Sequence, residues 1–189
     1  MKNYKYEVIT SWMNLLCVDI NVDTVKAILD NEVVNGINPL TILQVYKLQD
    51  AYDEVITEDA ANFEIEFADH AFKMIRIKPD QSKKWRDNFR SYIDALSDAT
   101  KSNSDLFQYA AYLLVAAIRS NAFGHYSYTV GSIIANRYLM WSGYSLILSE
   151  DDMSTLLKFT LSEDYDGLAK FLAGKCVRTY GTPGFAKMA

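Results

Sequence analysis

Cysteine is scarce in this chain, with only Cys17 and Cys176 among 189 residues. The two have no paired spacing, so neither a disulfide framework nor a cysteine zinc site is supported, and Cys17 is expected to be packed in its apolar stretch. Long apolar runs are also missing, because the longest, residues 109–118, is too short to span a bilayer. The N-terminus lacks a signal-peptide profile. We therefore expect a soluble, cytoplasmic protein without a membrane contact.

An excess of positive charge is missing as well. The chain carries 19 Lys and Arg against 24 Asp and Glu, a formal net charge of -5. A nucleic-acid binder needs many cations to replace condensed counterions, so this balance disfavours nucleic acid as a partner. Tyrosine is frequent, with 13 residues. Tyrosines suit protein interfaces when exposed and line the core when buried, and the composition leaves both roles open.

No internal repeat and no long alternating stretch occurs, while apolar residues recur three and four positions apart throughout the chain. This pattern predicts an all-α fold, one compact domain of about eight helices over residues 1–176 and a loosely held tail over 177–189. The predicted helices cover 6–16, 24–30, 39–56, 67–75, 83–96 and 106–118, then a segment from 127 or 129 to 142, and two segments that open near 149 and 162.

Local signals set several helix boundaries. Asp23 is expected to cap the second helix, and Asn38-Pro39 is typical of a helix start. Gly143 supplies a left-handed residue that can end the helix before it. The buried stripe of the third helix is predicted to be Val45, Leu48, Tyr52 and Val55.

The segment 119–144 carries the strongest functional signal. It reads RSNAFGHYSYTVGSIIANRYLMWSGY. Without a gap, it resembles the active-site motif of the Fic/Doc-like family, His-Pro-Phe-x-(Asp or Glu)-Gly-Asn-(Gly or Lys)-Arg, followed by a helix with an Asn and a Gly-Tyr corner. Residues 25–55 are similar to the family's earlier helix, glycine-containing turn and long helix. The resemblance implies a Fic-like helical domain.

Compared position by position, the scaffold of the motif is kept and its catalytic groups are replaced. In active members, as the resemblance implies, the His accepts a proton, the acidic residue holds Mg²⁺, the glycines admit phosphates and the Arg binds them. Phe123 retains the family's packing anchor. The functional positions are occupied here by Asn121, His125, Tyr126, Ser127, Tyr128 and Thr129.

These replacements predict the loss of the family's chemistry. Asn121 has no useful basicity near neutral pH, and His125 is a poor ligand for Mg²⁺, which prefers oxygen. Tyr126 and Tyr128 bring rings where glycine left space for phosphate at a helix N-terminus. Thr129 cannot form the two parallel hydrogen bonds that Arg makes to a phosphate. We expect no AMP transfer by the family mechanism, and no cofactor or metal.

The expected function is therefore that of a catalytically inactive Fic-fold protein that binds another protein, as an effector, inhibitor or decoy. A bacterial, phage or mobile-element setting is implied by the resemblance. The alternative is a nucleotidyl- or phosphoryl-transferase with a rewired active site, which works through His125 or through a residue supplied elsewhere. The rings of Phe123, Tyr126 and Tyr128 form either an aromatic binding surface or a filling for the vacated pocket, and their direction distinguishes the two.

Three further groups of residues are candidate sites. Glu66 and His70 lie four apart on a predicted helix, as two metal ligands or as part of a solvated face. Ser127 beside His125, with Asp151 or Asp152 as an orienting acid, is a possible nucleophile with its base or a set of structural residues.

The third group is a basic face after Pro79. It consists of Lys83, Lys84, Arg86 and Arg90, which flank Trp85. A basic face can contact an acidic protein partner, or it can serve as solvating charge alone. Both interpretations remain open from the sequence.

Overall fold

The computed structural model describes residues 4–57, 64–77, 85–100 and 105–179. The elements in these ranges are α1 (Lys5–Asn14), α2 (Val22–Leu29), α3 (Pro39–Thr57), α4 (Glu64–Ile75), α5 (Trp85–Thr100), α6 (Leu106–Arg119), a 3-10 turn (Gly124–Tyr126), α7 (Ser127–Trp141), β1 (Tyr144–Leu146), α8 (Asp152–Ser162), α9 (Tyr165–Lys175) and β2 (Cys176–Arg178). The predicted all-α class is confirmed, apart from one two-stranded sheet. A membrane-crossing helix, long and apolar, is not found within the described ranges.

Helices α6 and α7 pack against each other and form the centre of the fold. Their close approach depends on small residues, because a Cβ added at Gly131 would lie 2.9 Å from Leu114 Cδ1 and 3.0 Å from the Ala117 Cβ. Seven of the 14 residues of α6 are buried, and all seven lie between Ala110 and Ala117. A continuous apolar run of this length is typical of a helix that is covered on nearly all sides.

Two apolar clusters lie on the two sides of this central pair. The first core contains side chains of α1 to α5 and one side of α6 and α7, among them Trp12, Val45, Leu48, Phe72, Phe89, Phe123 and Ile133. The second core contains the other side of α6 and α7, β1, α8 and α9, among them Leu114, Leu139, Leu146, Leu156, Leu168 and Leu172. The motif segment begins in the first core and continues between the two.

Strand β1 follows α7 and pairs with β2 in antiparallel register, with Tyr144 opposite Arg178 and Leu146 opposite Cys176. Gly143 has a φ of 80°, which confirms its left-handed role at the end of α7. The pattern analysis missed both strands, because three residues are too short to show an alternating period. Val177, placed in the loose tail, belongs to β2, whereas residues 180–189 lie outside the described ranges.

Several boundaries differ from those predicted. Helix α2 begins at Val22, capped by Asn21 and not by Asp23, since the Asn21 Oδ1 accepts a hydrogen bond of 2.8 Å from the Thr24 N–H. Helix α4 begins three residues earlier than predicted, and α5 continues to Thr100, past the predicted end at residue 96. Cys17 is exposed with a φ of 58°, so its expected packing is wrong.

Helix α3 follows its prediction closely. It starts at Pro39, and the four residues of its predicted stripe are buried: Val45, Leu48, Tyr52 and Val55. Its outer face is less regular. Leu40 and Leu43 stay exposed on that face.

Candidate functional site

The motif loop, residues 121–129, connects the end of α6 to the first turn of α7. Asn121 follows the last turn of α6 with a φ of 46°, and its N–H donates a 3.2 Å hydrogen bond to the Ile118 carbonyl. Asparagine is among the few residues that adopt this left-handed conformation readily, and it often ends helices in that way. The side chain at the position of the family's His is therefore an exposed helix terminator here.

Phe123 points inward from the loop. Its side chain is 2% exposed, and its ring centroid lies 5.4 Å from the ring centroids of both Phe72 and Phe89. The rings are inclined at 55° and 62°, within the tilted and edge-to-face arrangements that aromatic pairs prefer. Phe123 thus anchors the motif loop in the first core between α4 and α5.

Tyr126 also turns toward the first core. Its ring centroid lies 5.8 Å from that of Phe72 at an interplanar angle of 70°, and its hydroxyl oxygen accepts a 3.3 Å hydrogen bond from the Ile77 N–H. The His125 ring packs on the outer side of Tyr126, with centroids 3.9 Å apart, and is itself exposed. Only His125, Gly124 and Asn121 of this loop are exposed to solvent.

The first turn of α7 is filled by its own side chains. Ser127 and Thr129 are 3% and 0% exposed, and their hydroxyls make no hydrogen bond with any described residue. Tyr128 packs against the second core, and burial raises the pKa of its phenol. The phenol rings therefore flank the helix N-terminus and turn into the two cores, which favours the filled-pocket interpretation over an aromatic surface.

The hydroxyl nucleophile considered from the sequence is not assembled. The Ser127 Oγ has no hydrogen-bond partner in the described ranges, so it makes no hydrogen bond to His125. Asp151 is exposed, while the Asp152 Oδ1 lies 2.7 Å from the Lys175 Nζ. Burial alone raises the pKa of Asp152, but hydrogen bonds from Lys175 and from the N–H and hydroxyl of Ser149 bring it below its usual value.

The metal-ligand candidates are likewise separate. The His70 Nε2 lies 2.8 Å from the Glu54 Oε2 on α3, whereas Glu66 is exposed one turn away on α4. In the part of the chain that the structure describes, no three His, Cys, Asp or Glu side chains are grouped as metal ligands. The pair on α4 is therefore arranged as a solvated face with one hydrogen bond to α3.

The basic face lies only partly within the described residues. Lys83 and Lys84 fall outside them, and Arg86 is described only through its place in α5. Arg90 is exposed on the same helix. The role of the basic face as a partner contact stays a prediction.

One surface feature was missed by the sequence reasoning. The α2–α3 groove, of about 200 Å³, is lined by Ile28, Asn31, Glu32, Val34, Ile42 and Tyr46. Beside it lie exposed apolar side chains, with Val33 90%, Leu40 56%, Leu43 43% and Tyr46 36% exposed. The available signal was the apolar outer face of α3, which the assigned stripe leaves unused.

No family model, curated protein or solved structure matches this chain. The resemblance to the Fic/Doc-like family stays a prediction that rests on the residues of the motif segment.

Proposed function

We propose that this chain works by binding another protein, on a degenerate Fic-like scaffold, and does not transfer nucleotides by the Fic mechanism. The observation that most supports the second part of this proposal, the loss of nucleotide transfer, is the direction of the three aromatic rings in the motif loop. Phe123 is 2% exposed, and Tyr126 and Tyr128 pack on the two cores. Tyr126 is the N-cap residue of α7 and Tyr128 lies in its first turn, the part of a helix where a phosphate binds in many proteins.

Electrostatics supports the same proposal. Anion sites at helix N-termini combine free backbone N–H groups with cationic side chains that grip the phosphate. In the motif loop, the position of the family's Arg is occupied by Thr129, which is buried. The position of the family's acidic residue is occupied by His125, which is exposed. Neither residue supplies the charge that a nucleotide with Mg²⁺ requires.

A thermal-shift titration tests the catalytic half of the proposal. A nucleotide present at about 100 times its dissociation constant adds about 2.7 kcal/mol of stability. We expect no shift with ATP or CDP-choline, with or without Mg²⁺. A saturable shift together with nucleotide consumption that His125→Ala abolishes would support a transferase with a rewired site and contradict the proposal.

A binding experiment tests the other half. The wild-type chain is used to isolate a partner from a host extract, and the purified partner is then mixed with the purified chain. We expect a complex of fixed stoichiometry that His125→Ala leaves intact, because the proposal assigns this residue no binding role. Recovery of only weak, variable contacts would argue against a dedicated binding protein.

A further inference from the structure

The α2–α3 groove is a preformed cleft. Its rim is held by the Tyr46 hydroxyl, which lies 3.0 Å from the Ile28 carbonyl oxygen and 3.2 Å from the Asn31 Oδ1 and donates to one of them at a time. Two backbone bonds fix the loop after α2, from the Asn31 N–H to Ile28 at 3.1 Å and from the Glu32 N–H to Ala27 at 2.8 Å. These hydrogen bonds restrain the rim of the cleft, and a restrained site loses less entropy on association.

The size of the cleft points to a side chain and not to a cofactor. Small-molecule sites commonly measure about 300–1,000 Å³, whereas this cleft measures about 200 Å³ and is open to solvent. Ile28, Val34 and Ile42 supply its apolar lining. Protein interfaces often gain most of their affinity from one or two apolar anchors that fill such pockets.

The apolar surface continues beyond the cleft. Tyr46, Leu43 and Leu40 are three residues apart in turn, so they lie on one face of α3, and Val33 lies in the loop beside the groove lining. Val33 is 90% exposed and Leu40 is 56% exposed. Exposed apolar side chains that are grouped next to a cleft mark interaction sites more often than scattered ones do.

The charges around the cleft are mainly negative. Asp30, Glu32 and Asp50 are exposed at its edges, Asp50 one helical turn beyond Tyr46. Lys26 is exposed on α2 but lies two residues before Ile28, on a different face of the helix, and the Lys47 Nζ is directed to the Met74 carbonyl, at 3.0 Å. Facing surfaces of two copies would bring like charges together, whereas a basic partner is attracted.

We propose that the α2–α3 groove binds a segment of a basic protein. One apolar side chain of that segment enters the cleft, and Lys or Arg residues of the same segment flank it. This rests on the proposed function and names its docking surface. The apolar anchor occupies the cleft beside Tyr46, neighbouring apolar residues cover Val33 and Leu43, and the flanking cations lie against Glu32 and Asp50. Such binding weakens with salt, since exposed charges are screened beyond about 8 Å at physiological ionic strength.

The test uses the full chain and a synthetic amphipathic peptide with Leu on one face and Lys on the other, followed by fluorescence anisotropy. We expect salt-sensitive binding, and none for the same peptide with Ser in place of Leu or Glu in place of Lys. Methyl resonances of Ile28, Val34 and Ile42 should shift on titration. Val33→Ser, at an exposed position, should weaken binding about tenfold, equivalent to about 1.4 kcal/mol.

A pair of matched charge reversals separates the groove from general attraction. Glu32→Lys should weaken binding about tenfold, while Glu66→Lys, an equal charge change on the exposed side of α4, should change it by less than about twofold. Equal effects of the two variants would overturn the proposal. Binding weaker than about 1 mM, or shifts confined to Leu157 and Leu161 on α8, would also overturn it.

Self-association is the remaining outcome. A concentration-dependent dimer that Val33→Ser disrupts would assign this surface to a second copy and overturn the proposed basic partner. Each of these failures leaves the nucleotide titration unaffected. If the peptide does not bind and no nucleotide binds either, only the proposed docking surface is contradicted. If a nucleotide binds and is turned over, the proposed function itself is contradicted.

Discussion

In the motif loop Phe123 is 2% exposed, whereas beside the α2–α3 groove Val33 is 90% exposed. Both regions are rich in apolar and aromatic side chains. In the loop they pack between α4, α5 and α7, and at the groove they are left without a covering element among the described residues. The comparison teaches that the segment with the family resemblance is mostly packed, while a segment without a motif carries the exposed apolar surface that our proposal assigns to a partner.

The largest expected effect comes from Phe123→Ala. Truncation of a buried aromatic leaves a cavity and costs about 3–5 kcal/mol of unfolding free energy. The matched change at the groove, Leu40→Ala, should cost less than about 0.5 kcal/mol because the side chain is exposed. Urea denaturation of both variants measures the difference. Similar losses would break the contrast between the two regions.

The next largest effect is expected at Asn136, a buried residue of α7 beyond the motif loop. Its amide N–H donates to the Leu146 carbonyl at 3.0 Å, and its Oδ1 accepts from the Leu146 N–H at 2.8 Å. Asn136→Ala leaves two buried backbone groups unpaired, which costs about 2–4 kcal/mol at about 1–2 kcal/mol for each group. Asn88→Ala, at an exposed site on α5, is the control and should leave the urea midpoint nearly unchanged.

A smaller effect, of opposite sign, is expected from Thr129→Val. The Thr129 hydroxyl is buried without a partner in the described ranges, so its replacement by a methyl group should stabilise the fold by about 1 kcal/mol. Thr160 provides the matched control, since its Oγ1 donates to the Leu156 carbonyl at 2.7 Å and Thr160→Val loses that bond. The midpoint temperature of thermal unfolding should rise for Thr129→Val and fall for Thr160→Val. A loss of stability in both would contradict a partnerless hydroxyl at 129.

The smallest effect at neutral pH is expected from Tyr52→Phe on the inner face of α3. Burial, and then the carboxylates of Asp53 and Glu7, raise the pKa of Tyr52 to about 12. An unfolded tyrosine ionises near pH 10, so the stability linked to this proton is full below pH 10 and is lost as the pH rises toward 12.

Urea unfolding over that pH range checks the prediction. Tyr52→Phe should keep the ring packing and flatten the alkaline decline in stability. If Tyr52→Phe loses stability at alkaline pH as the wild type does, the loss comes from other titrating groups. The contrast between the inner and outer faces of α3 would then rest on burial alone.

The helices could be predicted from the sequence because their signals are local. Residues three and four apart determine the apolar face of a helix, and the Asn38-Pro39 pair determines where α3 starts. Phe123 as a packing anchor was predicted from the motif and is confirmed by its burial. The strands β1 and β2 were missed because each is three residues long and they are separated by 29 residues of helix and turn.

The candidate sites were less predictable. Tyr126 and Tyr128 are two residues apart at a helix start, and either an inward or an outward direction satisfies that spacing. Their direction depends on Phe72 and on the second core, which come from distant segments. The groove was missed for the same reason, because its lining combines the loop after α2 with the outer face of α3.

The sequence by itself determined the helical class, the buried stripe of α3 and the absence of the motif's catalytic side chains, since these follow from residue type and near-neighbour spacing. Only the tertiary structure decided that the motif loop is filled by its own rings and that Val33, Leu40 and Leu43 stay uncovered. Burial is a property of the whole set of packed elements, and residues distant along the chain determine which apolar side chains are covered.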